Sequence, residues 1–454
     1  MRKNEVNMTD GPLFLNILRF SVPILLSSIL QMSFSTADLA VVGRMCNSNA
    51  LASIGATTSL TNLMLNLFMG IASGATIAVS FSLGKKDEKD ISEHIHNAIA
   101  VALISGVFVA ILAFIVARPA LSAMGVEGDI LNGAVKYFTI YFAGAPFSLV
   151  YNYGASIINA HGDSKSPFKF LAISGALNLV LNVFFVWAFK MDIAGVALAT
   201  VISNGVSAVL VIRSLMRNEG CSRLYLKKIK IYKKRLFTIM KFGIPAGIQS
   251  CMFSIPNVLI QTSINSFGPA AITGNTAAVS AGAYYEMGHG ALGQCAMTFI
   301  ARNYGAGNYK RIKKILFRCL LVVIGISGTL GWTTYFLSDY VLAIFIKDNP
   351  AAMEVGKLRL FYLALPNMIG AAHSVYASSV RGLGKSIYPM ITNILGVCVF
   401  RVVWLAAVFP IYRTLDCVYI TYPVTWAIAL IALVIYFHHC YRHIMKDNFK
   451  TATQ

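Results

Sequence analysis

The chain has 454 residues, of which 57% are hydrophobic and 12% are charged. A soluble globular protein carries about 25% charged residues, so this composition excludes an ordinary soluble domain. The formal net charge is +20, but the basic residues lie mostly in short loops between long apolar runs, which argues against nucleic acid as a partner. We therefore predict an all-α polytopic membrane protein.

Apolar runs of about 20 residues, each long enough to cross ~30 Å of hydrocarbon, follow one another along nearly the whole chain. The first run continues past the length of a signal peptide without a clear small-residue cleavage site, so we interpret it as an uncleaved span. Prolines within the runs are tolerated when neighbouring helices satisfy the freed backbone groups. The pattern predicts twelve transmembrane helices, near residues 13–42, 50–83, 93–117, 131–159, 166–189, 193–215, 236–266, 270–303, 312–337, 353–380, 387–411 and 416–441.

Three landmarks occur twice, in the same order and at offsets of 220–222 residues. Arg19 to Pro23 recurs as Lys241 to Pro245, Gly84 recurs as Gly305, and Lys165-Ser166 recurs as Lys385-Ser386. Such self-similarity indicates a repeated architecture, and two similar halves in a membrane chain favour a substrate path between two bundles. We predict two pseudo-symmetric six-helix bundles: an N-terminal lobe at 1–215, a basic cytoplasmic linker at 216–235 and a C-terminal lobe at 236–454.

Lysine and arginine concentrate in alternate loops, which indicates the orientation of the spans. The rich side includes Arg2, Lys3 and nine basic residues within 213–235. The opposite loops hold Arg44, Arg118, Lys190, Lys347 and Arg413. We predict that both termini are cytoplasmic, in a bacterial cell membrane. The basic linker either keeps its loop inside and contacts anionic lipids, which we favour, or carries a regulatory site.

Two acidic residues lie deep in predicted spans: Asp38 in the first and Glu286 in the eighth. An ionised carboxylate at mid-bilayer costs roughly 2.5–3.5 kcal/mol even on lenient scales, so such a residue usually faces a cavity and marks an ion path. Asp38 is either a coupling-ion site or a helix-end carboxylate that reaches the interface. Glu286 shares a helix face with His289, and it is either a substrate or proton site or a structural carboxylate.

Other polar features give weaker signals. Arg401 in the eleventh span is either a partner of Glu286 or an anchor between helices, and we favour the anchor. The segment 382–386 ends like a phosphate-binding loop, but the motif needs glycine where Ser379 stands, and no strand precedes it. The cysteines and histidines show no metal-ligand spacing. We expect no enzyme activity, no cofactor and no metal beyond Na⁺ at Asp38.

Several short motifs are distributed over the two halves of the chain. They are Pro23, Asp38 and Val42-Gly43; Gly162-Asp163; and the segments 176–182, 195–200, 273–278, 303–308 and 381–384. Together these motifs resemble the multidrug and toxic compound extrusion (MATE) family of secondary transporters, and the similarity covers essentially the whole chain.

The resemblance implies two six-helix lobes around a V-shaped cavity that opens alternately to each side. It also implies extrusion of amphipathic, cationic molecules driven by Na⁺ or H⁺ entry. By resemblance, the cation site falls on Asp38, Asn178, Asn182 and Thr200. The substrate cavity is expected to include Gln31, Phe34, Tyr284, Tyr285, Glu286, His289 and Arg401. We expect a monomer in contact with membrane lipids.

The chain departs from the family pattern at Asn182, where many members carry aspartate. Asp38 is then the only carboxylate of the constellation. An asparagine oxygen ligates Na⁺ but cannot exchange a proton, so a proton scheme with two carboxylates does not fit.

Three alternatives to drug export remain. A lipid-linked oligosaccharide flippase of the same superfamily predicts a more cationic cavity than Arg401 and His289 supply. An intramembrane enzyme would need paired catalytic groups at one depth, and a scaffold or receptor leaves the duplicated bundles unexplained. We rank the last two far below transport.

Overall fold

A computed structural model describes residues 4–46, 48–347 and 349–452, and within these ranges all regular secondary structure is helical. The α-helices are α1 (Leu13–Met45), α2 (Ser48–Lys85), α3 (Glu88–Ala123), α4 (Gly128–Ala143), α5 (Ala145–Ala160), α6 (Lys165–Phe189), α7 (Asp192–Met216), α8 (Lys233–Met252), α9 (Ser254–Asn265), α10 (Pro269–Gly305), α11 (Tyr309–Phe336), α12 (Ser338–Ala343), α13 (Pro350–Leu363), α14 (Asn367–Gly382), α15 (Ile387–Asn393), α16 (Phe400–Ala407), α17 (Leu415–Tyr419) and α18 (Thr421–Ala452). The predicted all-α class is confirmed. Arg2 and Lys3, which entered the charge pattern, lie outside the described residues.

Each of the twelve predicted spans coincides with one long helix or with consecutive helices. In the described part of the chain, nine segments are long and apolar enough to cross a membrane by length and composition. The other three predicted spans correspond to α4 with α5, to α10, and to α13 with α14. Both α4 and α5 have 16 residues and meet at Gly144. Helix α10 has 37 residues, but its many glycine, serine, threonine and asparagine residues lower its hydropathy.

Prolines mark the interruptions within the spans. Pro146 lies in the first turn of α5 and Pro366 immediately precedes α14. Proline is tolerated at such positions because its missing N–H would have no partner within the helix. The eleventh span instead contains a π-helical segment, Ile394–Val399, between α15 and α16. These spans are therefore interrupted where few backbone hydrogen bonds are lost.

The chain forms two compact units. The first contains Leu26–Gly247 and the segment before Met8, and the second contains Met8–Leu25 and the chain from Ile248 onward. Helices α1 and α8 are therefore each divided between the units. The two division points are separated by the same 222 residues as the first repeated landmark. The lobe limits at 215 and 236 stay a prediction.

In the first unit, α2 packs backbone against backbone with the part of α8 that ends at Gly247. A Cβ added at Gly70 would lie 2.5 Å from the amide nitrogen of Gly247, and one added at Gly74 would lie 2.6 Å from that of Gly243. Small residues four apart on both helices permit this approach. This contact fixes that part of α8 to the first unit.

In the second unit, α10 is the central helix and packs against α11, α13 and α14. A Cβ added at Gly274 would lie 3.0 Å from the amide nitrogen of Gly356 on α13. One added at Gly293 would lie 2.8 Å from Oγ of Ser378 on α14. These approaches hold the helix that carries Glu286.

We predict that Gly70→Ala destabilises the protein by about 1–3 kcal/mol, because the new methyl group overlaps the backbone of α8. Gly55→Ala is the control on the same helix, since a Cβ there would meet nothing within 4 Å. The melting temperature of the detergent-purified variants, followed by fluorescence-detected size-exclusion chromatography, tests this. Equal melting temperatures for the two variants would contradict the backbone contact.

Candidate functional site

The carboxylate of Asp38 on α1 contacts two asparagines of α6 in the first unit. Nδ2 of Asn182 donates to Oδ1 of Asp38 at 2.5 Å. Asn178 lies one turn earlier on α6, so both amides project from one helix face, and its side chain is 2.8 Å from the same Oδ1. Asn182 is fully buried and Asn178 is 6% exposed. The fold thus brings together residues 144 apart in sequence.

Thr200 on α7 completes this cluster. Its hydroxyl donates to the carbonyl oxygen of Val196 at 3.1 Å and lies 3.3 Å from the side chain of Asn178. With its Nδ2 toward the carboxylate, the Asn178 amide donates to Asp38, and its Oδ1 then lies 3.3 Å from the Thr200 hydroxyl. The Asn178 side chain therefore connects the carboxylate to Thr200.

The cluster is a set of oxygen ligands around one carboxylate. Oδ1 of Asn182 is buried and accepts no hydrogen bond from the described residues. Carboxylate, amide and hydroxyl oxygens are the ligands that hard cations accept. Neutral oxygens around one carboxylate are chemically suited to a proton or to Na⁺. Among the described residues, no three His, Cys, Asp or Glu side chains form a metal-binding group.

Two tyrosines beside the cluster are missed by sequence reasoning. Tyr137 and Tyr141 lie one turn apart on α4, with ring centroids 5.9 Å apart, and both interact electrostatically with Asp38. The sequence offers one local indication of these residues: a spacing of four within an apolar run, which places both hydroxyls on one helix face. Tyrosines that only pack in a core show the same spacing, so it does not identify Tyr137 and Tyr141 as site residues.

The two predicted cavity residues on α1 have different surroundings. Phe34 is half-buried, and its ring packs against Gly175 of α6, where a Cβ would overlap the ring. Gln31 is exposed. Phe34 therefore fixes α1 against α6 one turn before Asp38, and Gln31 presents its amide at the surface of the unit.

In the second unit, the predicted residues of α10 divide between surface and core. Tyr284 is 59% exposed and Glu286 is also exposed, whereas His289 is half-buried. Tyr285 is 2% exposed and packs with Leu342 and Leu360. Tyr285 thus contributes to the core, and Tyr284 and Glu286 are the accessible pair.

Arg401 lies on α16 and is 3% exposed. Its Nε donates to Oγ1 of Thr425 at 3.2 Å, and its guanidinium carbon is 4.1 Å from the ring centroid of Tyr422. Both partners belong to α18. No described carboxylate lies within 4 Å of Arg401, although its charge interacts with that of Glu286. Arg401 therefore connects α16 to α18.

The comparisons with known proteins agree with the repeated architecture. The sequence profile of the MatE family matches residues 23–184 and 245–406, which begin at the two repeated prolines. The chain is 25% identical to the probable multidrug resistance protein YoeA of Bacillus subtilis, over 93% of each chain. It is 23% identical to the multidrug export protein MepA of Staphylococcus saprophyticus, over 74% of each. Its fold is similar to that of an outward-facing multidrug resistance MATE transporter of the MOP superfamily, with a TM-score of 0.90, 19% identity, and coverage of 98% of this chain and 99% of that chain.

We predict that Thr200→Val weakens cation binding by roughly 1 kcal/mol, because the site loses one oxygen ligand. The purified protein is titrated with NaCl at constant ionic strength, and separately with pH, while its melting temperature is recorded. Thr334→Val is the matched control, since that hydroxyl also donates to the carbonyl four residues earlier and is also half-buried, but lies on α11 in the second unit. An unchanged cation response in Thr200→Val would remove Thr200 from the site.

Proposed function

Since the chain belongs to the MatE family of multidrug and toxic compound extrusion transporters, we propose that it is a secondary antiporter that exports amphipathic, cationic small molecules in exchange for Na⁺ or H⁺. The relatives described above are named multidrug resistance and multidrug export proteins. The observation that carries the proposal is the hydrogen bond between Asp38 and Asn182. It holds the one carboxylate of the cluster among amide and hydroxyl oxygens, on a membrane-spanning helix.

The coupling ion acts at Asp38 in this proposal. A proton or Na⁺ neutralises the carboxylate, and Asn178, Asn182 and Thr200 supply neutral oxygens. Binding shifts a transporter between two states only by its different affinity for each. The loaded and unloaded forms of Asp38 differ in charge, and that difference is the source of the shift.

The proposed transporter is a monomer in a bacterial cell membrane, with both termini in the cytoplasm. It moves substrate by alternating access between the two lobes. The asymmetric distribution of lysine and arginine between the loops supports the orientation of the termini. The segment 216–235 is the cytoplasmic connection, and its side of the membrane is the one from which substrate is collected.

The second candidate is a flippase for lipid-linked oligosaccharides. A flippase requires cationic groups to bind an anionic head group. The structure contains a buried cationic residue that the sequence did not single out. Arg359 on α13 is 9% exposed, and its guanidinium interacts electrostatically with Arg401. This candidate therefore gains some support from the second unit, but the ion site at Asp38 favours antiport.

We predict that efflux of a fluorescent cationic dye from drug-sensitive cells is lost in Asp38→Asn, because a neutral amide cannot exchange a proton or balance Na⁺. Wild type, empty vector and Asp38→Asn are compared at equal expression, with and without Na⁺. Asp129→Asn is the control, since it makes the same change at an exposed carboxylate in the first turn of α4. Full efflux by Asp38→Asn would exclude Asp38 from the mechanism. Equal retention in wild type and empty vector would exclude export of that dye class.

A further inference from the structure

The second unit buries two arginines close together. Arg401 on α16 is 3% exposed and Arg359 on α13 is 9% exposed. Both guanidiniums face the ring of Tyr422, at 4.1 Å from its centroid for Arg401 and 5.5 Å for Arg359. Arg359 also lies 5.6 Å from the ring centroid of Tyr419. Three elements, α13, α16 and the α17–α18 region, thus converge on one cationic cluster.

Neither arginine has an anionic partner in the described part of the chain. The ion pairs there involve Arg235 and Lys357. Arg359 forms one hydrogen bond, from Nη1 to Oδ1 of Asn275 at 2.9 Å, and Arg401 forms one, to Thr425. A guanidinium has five N–H donors, so most donors of both side chains are not used by described residues.

Such an arrangement is costly unless something compensates for it. Burying a charge without a counter-ion is strongly unfavourable, and two neighbouring cations repel each other in addition. Cation–π contacts with tyrosine offset part of this cost. The tyrosines therefore hold the arginines in position but do not neutralise them.

Glu286 on α10 is a carboxylate whose charge interacts with the charges of both arginines. It forms no ion pair with either and no hydrogen bond with a described residue, and it is exposed on α10. Its charge therefore partly balances the cluster while leaving the guanidinium donors unoccupied.

We propose that Arg359 and Arg401 form a subsite in the second unit for the oxyanion head group, carboxylate or phosphate, of the exported amphiphile. This inference rests on the proposed export function, because it names a chemical group of the substrate. Guanidinium groups match the planar geometry of carboxylate and phosphate through paired N–H···O bonds. Glu286, whose charge interacts with both guanidiniums, suits a cationic group on the same molecule, so a zwitterion satisfies both charges.

The test uses a rhodamine dye with a free carboxylate and its methyl ester, which share the cationic ring system and differ at the oxyanion. Binding to the purified full-length protein in detergent is measured by fluorescence anisotropy. Wild type is expected to bind the acid about tenfold more tightly than the ester, the size of one charge-assisted hydrogen bond. Arg359→Met and Arg401→Met are expected to lose this preference and to retain binding of the ester.

Two further variants distinguish the subsite from a structural role. Arg318→Met removes an arginine that is exposed on α11 and should leave both dyes unaffected. Arg401→Lys keeps the charge but loses the planar fork, so it should keep the fold and lose most of the preference for the acid. Equal affinity of wild type for acid and ester would overturn the proposal. Equal weakening of both dyes in the arginine variants would overturn it as well.

A lipid head group is the other source of the same chemistry. The acid dye is therefore titrated against the protein in nanodiscs of phosphatidylcholine with and without phosphatidylglycerol. Competition by phosphatidylglycerol in wild type but not in Arg401→Lys assigns the subsite to a lipid phosphate. Absence of competition, with the preference for the acid retained, assigns it to a small-molecule carboxylate.

The binding experiment is separate from the efflux experiment. Arginine-dependent binding of the acid in a protein that exports no cationic dye would reject export of that dye class but retain an oxyanion subsite. Asp38-dependent efflux without a preference for the acid would reject the subsite alone.

Discussion

The interior of a membrane has no water to hydrogen-bond polar groups, and this constraint governs both halves of the molecule. Long helices satisfy their own backbone, and their interruptions occur at prolines or at a π-helical segment, where few hydrogen bonds are lost. Side-chain hydroxyls follow the same rule. The hydroxyls of Ser33, Thr36 and Thr276, for example, each donate to the carbonyl oxygen four residues earlier. Asp38 and Arg359 instead hydrogen-bond to side chains on other helices, so they stand out from this pattern.

Much of the fold and part of the candidate site follow from local signals in the sequence. A span needs only its apolar length, and Asp38 and Glu286 stand out because their neighbours are apolar. The division of α1 at Leu25 depends instead on packing between distant residues, which no local pattern encodes. Arg359 is missed for a related reason: near the start of a predicted span it resembles an interfacial arginine. Its burial becomes evident only when Asn275 and the tyrosines are brought beside it.

The two halves share a framework but differ in the chemistry that it carries. Both repeats begin with a divided helix at equivalent positions, and both units use glycine to bring helices together. The first unit then places a carboxylate among amides, whereas the second places two guanidiniums among tyrosines. Duplication thus accounts for the helices and their packing, which depend on small residues and apolar surface. The polar residues have diverged, so each half is assigned its role from its own side chains.

The lone carboxylate sets the charge balance of the proposed ion site. A proton and Na⁺ each carry one positive charge, so either ion makes the loaded cluster neutral. A second carboxylate in place of Asn182 would leave one negative charge after the same ion had bound, and a second cation would be needed to remove it. Charged groups are far more costly than neutral ones away from water, so only the neutral form moves readily into a drier environment. Asn182 therefore favours a cycle in which one monovalent cation is sufficient to change the state of the first unit.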